Sequence, residues 1–263
     1  MSEFKLIDLS VPIEHNSPSE PWPPKFSYLD HRTGANEMGS KLGIAQKDFV
    51  FSNGLGWSYE EVTMITHCGT HLDAPWHFHP MAEGKLAKTI DEVPLEWCYS
   101  NGVVLDLRHK KPGEEISVED IKIALEKINY KLKPLDIVLI MTGCDKKLGT
   151  PEYFEQPGMG RESTLWIVEQ GVKVIGVDMY GYDRAFKDMG EDYKKTGDGK
   201  KIWPAHFAGI EKEYCHIEKL ANLDKIPKPF GFKIAIFPIK LVKASAAWIR
   251  PVAIIENQGR EEK

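Results

Sequence analysis

Between positions 67 and 77 the chain reads His67-Cys68-Gly69-Thr70-His71-Leu72-Asp73-Ala74-Pro75-Trp76-His77. Few backbone conformations suit this stretch. On a helix, His67 and His71 would share a face and need bind nothing. Gly69 and Pro75 oppose a helix, and so does the run Val62-Thr63-Met64-Ile65-Thr66, rich in β-branched residues, just before it. Extended chain instead sends alternate side chains to one side. Positions 67, 71, 73 and 77 then converge, with Gly69 leaving that side open. Cys68 points the other way and is expected to pack. Imidazole nitrogen with carboxylate oxygen is a donor set for zinc, manganese or another divalent metal.

The bulk properties narrow the setting. With 263 residues the chain can bury a sizeable core without disulfides. It is 42% hydrophobic and 28% charged, as in ordinary globular proteins. A net charge of −5 and no dense Lys/Arg block give no footprint for nucleic acid or an anionic membrane surface. The four cysteines, at 68, 98, 144 and 215, form no CxxC pair. No secretory signal and no run of membrane-spanning length is visible. The expectation is a cytoplasmic protein with reduced thiols.

Strand-like apolar runs recur at Phe4–Leu9, Val62–Thr66, Val103–Leu107, Ile137–Met141, Val172–Val177, Lys233–Phe237 and Ala247–Glu256. Ser117 opens a helix with an acidic first turn and an apolar face of Ile121, Leu125 and Ile128. A second helix runs from about Glu162 to Gln170 and stops at Gly171, and a weaker third lies near Glu211–Leu223. Strands alternating with helices mid-chain predict an α/β fold with parallel pairs. The surplus of strands predicts a mixed sheet. Residues 14–58, which include Pro21-Trp22-Pro23-Pro24, and residues 183–204 read as long loops, either plain surface or a lid or subunit-contact arm.

The segment His67–His77 resembles the HxGTHxDxPxH motif of the metal-dependent cyclase-like hydrolases. That family includes bacterial kynurenine formamidase, isatin hydrolase and trans-dienelactone hydrolase. The likeness extends to Ile7-Asp8-Leu9-Ser10-Val11-Pro12-Ile13, to Gly176-Val177-Asp178 and to Ile217-Glu218-Lys219-Leu220-Ala221-Asn222-Leu223. It implies one domain of the swivelling β/β/α type over 1–263, a mixed sheet with flanking helices, long active-site loops, and a homodimer or homotetramer. It also implies one or two divalent ions, zinc or manganese, per chain. His67, His71 and Asp73 are the implied ligands of the first. His77, His206 and Glu218 complete a second position. Spacing alone does not select His206 or Glu218 from the other histidines and acids.

The resemblance breaks at one position. Formamidase-like members carry a proton-shuttling histidine four residues after the third motif histidine, where this chain has Met81. His79 is the nearest replacement in sequence. Asp178 is either an acid, an orienter of a ligand, or a cap on a strand-end turn. Trp57, Trp76, Phe78, Tyr180 and Trp203 would together line a pocket for a flat cyclic or aryl substrate. For any one of them alone, core packing is the better reading. The implied reaction is cleavage of a cyclic amide or an N-acyl aryl amide by metal-activated water. Lactone hydrolysis is the alternative, and a metal-binding protein without turnover is a third reading.

Overall fold

The structure is a computed structural model and describes residues 4–256. Besides short 3-10 turns, the chain forms β1 (Phe4–Asp8), β2 (Lys25–Leu29), α1 (His31–Leu42), β3 (Tyr59–Thr63), β4 (His71–Asp73) and α2 (Pro75–Phe78). Then come β5 (Met81–Ala82), β6 (Lys85–Leu86), β7 (Tyr99–Asp106), β8 (Glu115–Ile116), α3 (Val118–Lys127), β9 (Ile137–Met141), β10 (Gly158–Met159) and α4 (Arg161–Glu169). The remainder is β11 (Val174–Val177), α5 (Phe186–Thr196), α6 (Pro204–Glu211), β12 (Cys215–Glu218), β13 (Phe232–Ala235), β14 (Ala246–Trp248) and β15 (Val252–Glu256).

Two compact units are distinguished. Residues up to Pro12 together with the chain from Thr66 form one, and Ile13–Ile65 form the other. The larger unit holds a nine-stranded mixed sheet in the order β1-β15-β13-β7-β9-β11-β12-β4-β14. Its centre, β7-β9-β11-β12, is parallel. Both flanks are antiparallel. Helices link the parallel strands, as parallel pairing requires. The α/β expectation and the mixed sheet are what the structure shows.

Strand alternation divides the core in two. In β9, Ile137, Leu139 and Met141 enter one apolar cluster, while Val138 and Ile140 enter the other. All five are buried. Each large aliphatic side chain so buried contributes about 1.5–3 kcal/mol.

Helix α3 begins at its Ser117 cap, with Ser117 and Asp120 closing a capping box. Helix α4 falls within a residue of the expected bounds. Three expectations fail. Residues 14–58 are not a structureless loop. Within the smaller unit, β2 pairs antiparallel with β3, and α1 is capped by Asp30 at one end and by left-handed Gly43 at the other. Residues 183–204 contain α5. Finally, no helix spans 211–223. Helix α6 ends at Glu211, and Cys215–Glu218 is the buried strand β12. Four consecutive buried residues, paired in register with β11 and β4, outweigh the weak helical pattern.

Candidate metal centre

Strands β4 and β12 run antiparallel, with Asp73 opposite His216 and His71 opposite Glu218. Leu72, Cys215 and Ile217 face one apolar cluster. Period-two alternation therefore puts His71, Asp73, His216 and Glu218 together on the opposite face. All four residues are buried.

The motif segment reaches this point by three local geometries, not by one extended run. Residues 67–70 bend, and Gly69 takes a left-handed φ of 64°, which a side chain would strain. The bend lets the Gly69 carbonyl accept from His71 Nδ1 at 2.8 Å. That bond leaves His71 Nε2 as the ring's lone-pair nitrogen. Thr70 anchors the bend: its Oγ1 donates to the Lys219 carbonyl at 2.6 Å and accepts from Val11 N–H at 2.9 Å. Lys219 Nζ donates to the His67 carbonyl at 2.9 Å. His71 and Asp73 then alternate along β4. Pro75 starts the helical turn α2, and this turn carries His77 back to 3.8 Å from Asp73 Oδ2.

Asp73 is the hub. Its Oδ1 lies 2.9 Å from His67 Nδ1 and 3.2 Å from His71 Nε2. Its Oδ2 lies 3.0 Å from His216 Nε2. Glu218 is divided in the same way. Oε2 lies 3.6 Å from His71 Nε2, whereas Oε1 lies 3.5 Å from His216 Nε2 and 3.8 Å from His206 Nε2. Glu218 Oε1 also accepts the Tyr182 N–H at 2.8 Å.

His206 comes from α6. Its Nδ1 is 2.5 Å from Asp183 Oδ2, and Asp183 also accepts the N–H groups of Ala205 and His206 at the start of α6. One carboxylate thus caps the helix and aims the ring, leaving Nε2 toward Glu218. Trp203 stacks on His206 at 4.0 Å and 13°.

Charge explains the protonation pattern. Burial opposes ionisation of Asp73, yet the imidazoles of His77, His71 and His67 hold its carboxyl well below the usual range. Burial likewise opposes ionisation of Glu218, but His216 beside it brings its pKa down to about 2. Burial would lower His216, but the Asp73 and Glu218 carboxylates raise it to about 9. Burial dominates at His77 and lowers it to about 4, so that ring is neutral at neutral pH.

These residues fit a divalent metal. Among the described residues, His71 Nε2, both oxygens of Asp73 and both nitrogens of His216 are buried without a hydrogen-bond partner. Leaving such groups unpaired costs about 1–3 kcal/mol each. Asp73, His206, His216 and Glu218 place donor atoms within 4.8 Å of one another, as do His67, Asp73 and His77. An ion or ions among them would satisfy His71 Nε2, the Asp73 oxygens and Nε2 of His216.

The structure brings together His67, His71, Asp73, His77, His206 and Glu218. Sequence reading missed His216. His79 turns away from the cluster, its Nδ1 accepting the Met81 N–H at 3.0 Å, and it lines a surface cavity with Arg161, Phe207, Ile210 and Glu211. Extended alternation ends at Asp73, before the helical turn α2 that carries His77, so His77 and His79 share no strand face. Asp178 is a buried strand-end cap, accepting from the Thr142 N–H and hydroxyl and from the Gly143 N–H. Burial raises it to about 6. Phe78 packs in the core and stacks on His216. Trp203 stands over His206 with His77 5.3 Å from its ring. Tyr180 meets Phe154 edge-on, with Lys219 Nζ 5.3 Å from its ring centre. Trp76 is exposed on α2. Trp57 belongs to the smaller unit, where its indole N–H donates to Glu37 and Lys41 covers its ring.

Residues 7–184 match the protein family described as putative cyclase. The chain belongs to this family. A kynurenine formamidase of Bacillus thuringiensis is 31% identical over 219 residues, covering 78% of this chain and 88% of that protein. A kynurenine formamidase of Geobacillus thermodenitrificans is 26% identical over 93% of this chain and 94% of its own length. An isatin hydrolase of Roseibium aggregatum is 22% identical, covering 96% of this chain and 92% of that protein. Among solved structures, an isatin hydrolase bound to the product analogue thioisatinate superposes with a TM-score of 0.73 at 19% identity, covering 97% of this chain and 94% of that one. Isatin hydrolase A from Ralstonia solanacearum gives 0.73 at 20% identity, over 96% and 92%. These two likenesses show a shared fold. No helix of the described residues is long and apolar enough to cross a membrane.

Proposed function

We propose that this cyclase-family protein is a metal-dependent hydrolase that cleaves the C–N bond of a cyclic amide or an N-acyl aryl amide. The observation that carries the reading is the set of buried carboxylate oxygens and imidazole nitrogens that converge with no other partner. The formamidase and isatin hydrolase relatives support the substrate class. A divalent ion, zinc or manganese, would supply a water of lowered pKa and polarise the substrate carbonyl.

The chain's own residues do the rest. His67, His71, Asp73, His206 and Glu218 hold the ion or ions, and Asp183 aims His206. Amide cleavage needs a proton for the leaving nitrogen. His77 sits at the rim, its side chain 23% exposed where His71 is 0%, and its neutral ring can take up and release a proton at Nε2. We assign it that role, since His79 faces elsewhere and Met81 carries no exchangeable side-chain proton. Trp203 gives the site a flat wall beside His77, suited to a planar ring.

A panel of formanilides, isatins and lactones, assayed with added zinc or manganese, tests the reading. Turnover of a formanilide or isatin that stops on chelation and returns with metal is the expected result. Turnover confined to lactones would replace the substrate class. No turnover on any member, with metal bound, would leave a metal-binding protein.

A further inference from the structure

His216 is the one buried imidazole of the cluster to which the family resemblance gave no role. Its ring lies between two aromatic rings, 4.2 Å from Tyr182 at 2° and 4.9 Å from Phe78 at 16°. Such a sandwich fixes the ring plane and the direction of Nε2. Neither ring nitrogen has a hydrogen-bond partner among the described residues. A packing role does not explain a histidine here: phenylalanine would stack as well without aiming a ring nitrogen at two buried carboxylates.

Nε2 is 3.0 Å from Asp73 Oδ2, but the two atoms are not aligned as donor and acceptor. They are neighbours around a common point. Glu218 Oε1 and His206 Nε2 border the same point, with separations of 3.5 Å from His216 to Glu218 and 3.8 Å from Glu218 to His206. Metal–ligand bonds of about 2.0–2.1 Å in a tetrahedron set neighbouring donors about 3.3 Å apart. Of the opposite oxygens, Asp73 Oδ1 faces His67 and His71, and Glu218 Oε2 faces His71. Each carboxylate therefore divides its two oxygens between His71 and His216.

We infer that His216 is a metal ligand, and that it joins His206, Asp73 and Glu218 at the second cation position that the family resemblance implies. This rests on the metal-dependent reading above and specifies its second position. The donor set is two imidazoles and two carboxylate oxygens, which suits zinc or manganese. With His216 as the fourth donor the position does not need His77, which is then free for proton transfer.

The test is titration of metal-stripped protein with Co2+, followed by calorimetry and by the visible absorption of bound cobalt, for wild type and for His216→Phe. Phenylalanine keeps the ring stack and removes the donors. Wild type should take two equivalents. His216→Phe should take one at wild-type strength, with the second lost or weakened more than ~100-fold, beyond the 10–100-fold expected when an outer partner of a ligand is removed. Should that variant fail to fold, His216→Gln is read by the same criterion. Two equivalents in the variant within ~100-fold of wild type, or one equivalent in wild type, would overturn the inference. A wild type that takes none would instead overturn the metal-dependent reading itself.

Discussion

Two stretches of chain build the candidate centre, and they do so differently. Residues 67–78 deliver four side chains from one local run, through a bend at Gly69, a short strand and a helical turn begun by Pro75. Residues 203–218 deliver three from a helix and a strand whose partners lie more than a hundred positions away, and they need Asp183 to aim one of them. The first region carries its geometry in its own sequence. The second acquires it from the sheet, through the register that sets His216 opposite Asp73.

Substitutions separate the two. The largest expected effect is at the point where they meet. Asp73→Asn halves the anionic donors facing His67, His71 and His216, so elemental analysis should find little bound metal and turnover should fall to background. Retention of metal by this variant would mean the regions do not share a ligand.

Next is His77→Ala, at the rim of the first region. If His77 moves the proton, turnover should fall by about 10²–10⁴-fold with metal content intact. Loss of metal together with turnover would return His77 to the ligand set.

Within the second region, Asp183→Asn keeps the shape but weakens the hold on His206. Metal affinity should drop by about 10–100-fold, as for other outer partners of ligating histidines. An unchanged affinity would show that α6 places His206 unaided. The smallest effect is expected at His79→Ala, which removes a ring bonded to the Met81 backbone. Turnover should stay within about threefold, too little for general acid–base work. A larger fall with normal metal content would restore it as a proton donor.

The same contrast decides what could be read beforehand. Apolar runs placed most strands of the sheet, and Ser117 and Gly171 marked helix ends, because those signals are local. The convergence at Asp73 was legible, though the reason differed: alternation holds for His71 and Asp73 only, and turns bring in His67 and His77. His216 was hidden by the helix expected over 211–223. On a helix His216 and Glu218 lie two residues apart and face apart, whereas on a strand they share a face. The period-two reading Cys215, His216, Ile217, Glu218 was the available signal. Four residues are too few to outvote a helical pattern without knowing that β11 and β4 flank them. In residues 14–58, turn-rich composition concealed a strand pair and a helix whose Asp30 cap was present in the sequence.

The central claim is that these two regions meet around a divalent metal that the chain uses for hydrolysis. The most direct measurement is elemental analysis of gently purified protein, followed by chelation, retitration with zinc or manganese, and melting at each stage. The account predicts at least one ion per chain, a melting temperature that falls on chelation, and its recovery with added metal. An ion present at 100 times its Kd stabilises by about 2.7 kcal/mol. A protein that carries no metal, binds none on titration and melts at the same temperature throughout would contradict it.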